Sequence, residues 1–149
     1  MQVTKEIRFE AAHRLQDHPG ACCNLHGHSY RMEVTVEGAI SADGMVVDFG
    51  KLSVILREII DDGGGYAGTG PWDHATILEE GDPLADVIVE HTDRVIVLLK
   101  APTAENMSKN FANLIQRELD SEGLQSCRVR RVRLWETEKS FVTWDVYDD

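Results

Sequence analysis

The sequence predicts an α+β domain in which a four-stranded antiparallel sheet carries two helices on one face. Three observations predict it. Two early segments alternate polar and apolar residues at a period of two, two later segments repeat apolar residues at helical spacing, and two closing segments return to a strand pattern. The resulting order is strand, strand, helix, insertion, helix, strand, strand. One antiparallel sheet with both helices packed on a single face satisfies that order. At 149 residues the chain is long enough for one such domain with its own core.

In the first strand Val3, Ile7, Phe9, Ala11 and His13 share one face, and Gln2, Thr4, Glu6, Arg8 and Glu10 share the other. The second begins at His26. His26, His28, Tyr30, Met32, Val34 and Val36 face one way, and Ser29, Arg31, Glu33, Thr35 and Glu37 the other. Asp43-Gly44 supplies turn residues, and Met45-Val46-Val47 reads as a short return segment. Asp48 is placed to cap a helix whose stripe is Phe49, Leu52, Ile55, Leu56, Ile59 and Ile60. Residues 61–70 carry five glycines and read as a flexible loop, the start of an insertion at about 61–100 that contains a strand over 94–100. Thr103 caps a second helix with the stripe Met107, Phe111, Leu114, Ile115 and Leu119, which Gly123 stops. The closing strands span about 126–137 and 140–147.

Composition narrows the function. Apolar residues make up 42% and charged residues 28%, as in a globular protein rather than a disordered one. The longest apolar run, Val95 to Leu99, is too short to span a bilayer. One domain leaves no room for a separate cofactor domain. With 15 Lys+Arg against 26 Asp+Glu, the net charge of −11 removes the main source of general nucleic-acid affinity. The first residues lack the layout of a secretory signal, and the cysteines number only three, two of them adjacent. A reducing, cytoplasmic setting is the expectation.

Three histidines carry a pattern. His26 and His28 project from the same strand face, and His13 ends the strand before it. If these strands pair antiparallel, all three imidazoles converge at one rim of the sheet. Three nitrogen ligands and an open fourth position make a catalytic zinc site. A bare His-x-His on a strand is more often two ordinary histidines; the third ring is what shifts the reading toward metal. Gly27 between them permits close backbone approach.

The segments Phe9-Glu10-Ala11-Ala12-His13 and Cys22-Cys23-Asn24-Leu25-His26-Gly27-His28 resemble the signature of the 6-pyruvoyltetrahydropterin synthase and 6-carboxytetrahydropterin synthase family. Met45-Val46-Val47-Asp48-Phe49, Trp72-Asp73-His74, Pro102-Thr103-Ala104-Glu105-Asn106 and Trp135-Glu136-Thr137 resemble further family blocks, in order and across nearly the whole chain. The stretch from residue 78 to 101 is longer than expected of a compact member. The resemblance implies the tunnelling fold, assembled into an oligomeric barrel, with sites between subunits and hexamers favoured. It implies Zn²⁺ on His13, His26 and His28, and a small pterin triphosphate as substrate.

It also implies a role for each remaining candidate. Cys22 is the proton-transfer thiol, and the spacing Cys-x3-His-Gly-His resembles the carboxytetrahydropterin branch of the queuosine route. Cys23 competes for that role, and Cys22 as a fourth metal ligand or a buried thiol stays open. Asp73 and His74 complete the relay, Asp73 holding the tautomer of His74; a cap on a short helix with His74 exposed is the plain alternative. Glu136 is the pterin anchor, since a carboxylate can accept two parallel hydrogen bonds from an amino-pyrimidinone edge. Glu105 and Thr103 are possible binding residues, with helix capping an equal account of both. His18 and His91 read as surface residues. Arg128, Arg130, Arg131 and Arg133 form a basic stripe, read first as a solvated or interface face. They, Arg14 and Lys139 are the candidates to meet a polyphosphate, which the net charge cannot attract. In the carboxy branch 7,8-dihydroneopterin triphosphate yields 6-carboxy-5,6,7,8-tetrahydropterin, acetaldehyde and triphosphate. The pyruvoyl branch keeps the three-carbon side chain, and a non-catalytic zinc or pterin-binding module is the different-class alternative.

Overall fold

A computed structural model describes residues 1–63 and 71–147. Strands β1 (Gln2–His13) and β2 (His26–Glu37) form a long antiparallel pair. Helix α1 (Phe49–Arg57) follows and runs into a π-helical turn at Glu58–Asp62. Strand β3 (Ala75–Glu79), helix α2 (Pro83–Ile88) and strand β4 (Val95–Leu98) come next. Helix α3 (Ala104–Ser121) and strands β5 (Arg128–Thr137) and β6 (Ser140–Asp145) complete the chain.

The α+β class is as expected, but the sheet has six strands, in the order β4-β3-β1-β2-β5-β6. Four of them, β1, β2, β5 and β6, form the expected antiparallel set. The other two, β3 and β4, lie between the two long helices in sequence and pair parallel, β3 on the end of β1 and β4 on β3, so the sheet is mixed. Met45-Val46-Val47 forms no strand; Val46 and Val47 are buried in the core and only lead into α1. Of the glycine-rich run, residues 64–70 lie outside the described residues.

One face of the sheet is the core. Phe9, Tyr30, Met32, Val34, Val36, Val132 and Leu134 are buried there with Leu52, Ile55 and Leu56 of α1 and Met107, Phe111, Leu114 and Ile115 of α3. Burying that much aliphatic and aromatic surface is the main favourable term for the fold. Asp48 caps α1, its side chain accepting from the Lys51 amide at 2.9 Å, and Thr103 caps α3 at 3.3 Å from the Asn106 amide. Phe49 is exposed and lies outside the stripe. Gly123 takes a φ of 77° just past α3, a left-handed stop that a side chain would strain.

The outer face is polar and laced with ion pairs. Each arginine of the basic stripe is engaged within its own chain: Arg128 with Asp120, Arg130 with Glu37 and Asp145, Arg131 with Asp145, and Arg133 with Glu33. No described helix is long and apolar enough to cross a membrane.

Candidate metal centre and active site

The register of β1 on β2 puts His13 opposite His26 and Ala11 opposite His28. All three imidazoles therefore leave the core face at one end of the sheet. Gly27 sits against β1, where a Cβ would come within 3.2 Å of the Ala11 carbonyl oxygen. Ligand nitrogens of His13, His26 and His28 lie within 4.8 Å of one another.

The hydrogen bonds behind the rings set their tautomers. His13 Nδ1 donates to the Pro102 carbonyl at 2.8 Å, and His26 Nδ1 donates to the Asn24 carbonyl at 2.8 Å. A carbonyl only accepts, so each ring carries its proton on Nδ1 and turns a bare Nε2 forward. These two Nε2 atoms face each other at 3.2 Å. Two lone pairs at that distance repel unless a cation stands among them. A proton is a poor candidate, because burial lowers the pKa of His13 and of His28, against the opposing pull of Glu136 on both. A tetrahedral zinc with Zn–N bonds of about 2.0–2.1 Å sets its nitrogens about 3.3 Å apart, so the donor set fits that ion. Neither Cys22 nor Glu136 belongs to this group, so among the described residues the donor set consists of the three imidazoles.

The cluster opens into a cavity of about 470 Å³ lined also by Leu15, Cys22, Thr103, Glu105, Glu136, Ser140 and Phe141. Glu136 enters it at a β-bulge: Trp135 pairs with Phe141 and Thr137 with Ser140, leaving Glu136 without an opposite residue. Its Oε1 lies 3.8 Å from His13 Nε2. Tyr30 packs edge-on against His28 at 5.4 Å, its hydroxyl fully buried, and burial together with the nearby Glu136 pushes that phenol's pKa up. Among the described residues, no lysine or arginine lines this cavity.

A family model described as 6-pyruvoyl tetrahydropterin synthase matches residues 2–146. The chain belongs to that family. A protein of Rickettsia bellii named 6-carboxy-5,6,7,8-tetrahydropterin synthase is 34% identical over 145 residues, 95% of this chain and 98% of the relative. One of Halobacterium salinarum named a probable 6-carboxy-5,6,7,8-tetrahydropterin synthase is 39% identical over 105 residues, and there the match spans 69% of this chain and only 61% of the relative. The solved 6-pyruvoyl tetrahydropterin synthase of Plasmodium falciparum superposes with a TM-score of 0.71 at 19% identity, covering 97% of this chain and 96% of that one, a likeness of fold. As a member of this synthase family the chain is a lyase-type enzyme.

Among the family's sequence blocks, His74 of the Asp-His pair lines a different cavity from the thiol. Asp73 and His74 do bond to each other: His74 Nδ1 donates to Asp73 Oδ2 at 2.7 Å, and Asp73 Oδ1 accepts from the Glu10 amide at 2.9 Å. Burial pushes the Asp73 carboxyl up, but the Glu10 amide, His74 and Arg94 together hold it below the usual carboxylate range. His74 adopts a φ of 60°, a left-handed conformation unusual for a side-chain-bearing residue, which its 2.6 Å amide bond to the Glu10 carbonyl helps to hold. Its ring is exposed and lines a second cavity, of about 350 Å³, with Glu10, Gly27, Ser29 and Thr76. Cys22 lines the first cavity and not the second. Cys23 lines neither, although it follows Cys22 in the same 3₁₀ turn.

Sequence reasoning named every polar group of the first cavity except Ser140. It missed the carbonyls of Pro102 and Asn24 that aim the rings, and the Phe141 wall. It left Arg14 among the polyphosphate candidates, but that guanidinium is held in a fork by Asp82. His18 and His91 are exposed, as expected.

Proposed function

We propose that this chain is a zinc-dependent 6-carboxy-5,6,7,8-tetrahydropterin synthase acting on 7,8-dihydroneopterin triphosphate. The products are 6-carboxy-5,6,7,8-tetrahydropterin, acetaldehyde and triphosphate, a step toward queuosine and related deazapurines. The observation that carries the reading is the pair of Nε2 lone pairs 3.2 Å apart at the floor of a cavity that also holds a thiol and a carboxylate. The names of the relatives support the carboxy branch over the pyruvoyl one.

His13, His26 and His28 would hold the zinc, which when bound supplies Lewis-acid polarisation of the substrate's side-chain oxygens. Glu136 binds the amino-pyrimidinone edge through its two carboxylate oxygens and sets the ring's orientation. Thr103 and Glu105, at the start of α3, line the same wall and bind beside it. Cys22 takes and returns a proton at the substrate side chain. His74 is the relay's second member, with Asp73 holding its proton on Nδ1. Because Cys22 and His74 line different cavities of one chain, the relay is completed by His74 of a neighbouring copy. A homo-oligomer with sites between subunits, a hexamer in this family's habit, follows from that reading. With no cation lining the cavity, the triphosphate is met at the rim, where the exposed Lys139 precedes Ser140 and Phe141, or by the neighbouring copy.

The test is product identity. Purified protein loaded with zinc is given 7,8-dihydroneopterin triphosphate and the products are read by mass spectrometry. The proposal expects acetaldehyde and the carboxylated pterin. A retained three-carbon side chain assigns the pyruvoyl reaction instead, and absence of turnover leaves a non-catalytic binding module.

A further inference from the structure

We propose that the Arg14–Asp82 ion pair is a positioning device, through which the segment between β3 and β4 fixes the loop that carries Cys22 against the cavity. Arg14 directly follows the cluster residue His13 and begins the connection from β1 to β2. Its guanidinium forks onto the Asp82 carboxylate, with Nε donating to Oδ2 at 2.7 Å and Nη2 donating to Oδ1. The Asp82 side chain is fully buried and also accepts from the Leu84 amide at 2.8 Å, where it caps α2. A buried carboxylate with three donors is rigidly held, and a planar fork fixes the orientation of its partner as well as its place.

The next residue transmits that constraint. Leu15 lines the cavity, and its amide donates to the Cys22 carbonyl at 2.9 Å, closing the loop on itself. A second tie from the insertion runs parallel, Gln16 donating to Glu79 at 3.4 Å. The insertion thus has a job at the site: it clamps residue 14, residue 15 clamps residue 22, and the thiol is held beside the imidazoles. Displacing a proton-transfer group by about 1 Å costs up to a hundredfold in rate, so such a clamp is worth having. The catalytic consequence rests on the Cys22 role proposed above; the positioning itself does not.

The experiment uses zinc-loaded enzyme, with Arg14→Gln, Asp82→Asn and the double variant compared with wild type. Iodoacetamide labelling is followed separately at each cysteine by peptide mass spectrometry, beside kcat, KM and zinc content. The expected result is faster labelling of Cys22 in either single variant, no further gain in the double, and retained zinc. In the same variants kcat falls about tenfold with KM little changed. Cys127, buried in the core and bonded to the Val46 carbonyl, stays protected and reports global integrity. Unchanged Cys22 labelling in both variants overturns the inference, and so does labelling of Cys127 that rises in parallel. If Asp82→Asn fails to fold, Arg14→Gln decides. Faster Cys22 labelling with unchanged kcat upholds the clamp and refutes the proton-transfer role of Cys22.

Discussion

His13 joins three parts of the site in one ring. It sits at the end of β1, donates to Pro102 ahead of α3, and turns its other nitrogen toward His26. The strand alternation made its face legible in the sequence, because side chains two apart must project together. The partner carbonyl was not legible, since a long-range bond from Pro102 leaves no local pattern. Glu136 shows the same divide: the resemblance of Trp135-Glu136-Thr137 to a family block implied pterin recognition, while the bulge that leaves it unpaired appears only in the register. Substituting Glu136→Gln keeps the shape and removes the charge; pterin affinity measured by calorimetry should weaken by about 2 kcal/mol, roughly thirtyfold, with zinc content unchanged. Cys22→Ala should retain zinc and fold while turnover drops about a hundredfold or more. Loss of turnover in Cys23→Ala alone, read in the same assay, would assign the role to the neighbouring thiol.

At the scale of elements, the long pieces were readable and the short ones were not. Strands of twelve residues and a helix of eighteen repeat their pattern often enough to be recognised. Strand β3 is five residues, ATILE, next to a turn and without clean alternation, and it pairs parallel with only the end of β1, from Ala11 to His13. Its partner β4 was anticipated as a strand, but nothing local indicates a parallel pairing. Met45-Val46-Val47 had strand-like residues, yet its burial is met by the core without a ladder: Val46 and Val47 pack inside as an irregular lead into α1. The Asp82 cap of α2 carries a pH dependence. Arg14 holds its carboxyl below the ordinary 3.8, against burial, so the unfolded chain takes up that proton first as pH falls. Its stabilisation is complete above pH 3.8 and is lost as pH drops through the lower folded value. Acid titration followed by circular dichroism should therefore show a shallower loss below pH 3.8 in Asp82→Asn than in wild type, from a lower starting stability.

For the whole molecule, the net charge of −11 and a cavity without cations pose the same question about a triphosphate substrate. The basic stripe, read first as a solvated or interface face and second as a polyphosphate site, has its four arginines paired with Asp and Glu of the same chain. Composition could reveal the excess of acid but not which charges neutralise each other. Assembly is likewise invisible to periodicity; the proposed relay between Cys22 and His74, which line different cavities, is what calls for a neighbouring copy. Mixing Cys22→Ala protein with His74→Ala protein, after dissociation and reassociation, should restore part of the turnover that neither has alone. A relay built within one chain would give no recovery.

Beneath these predictions lies one claim, that three imidazoles at the end of β1 and the start of β2 hold a single zinc ion. Elemental analysis of purified protein and of its His28→Ala variant tests it directly. Wild-type protein should carry about one zinc per chain, a three-histidine ligand set being sufficient for tight binding, and the variant should lose nearly all of it. Full zinc retention by His28→Ala would contradict it.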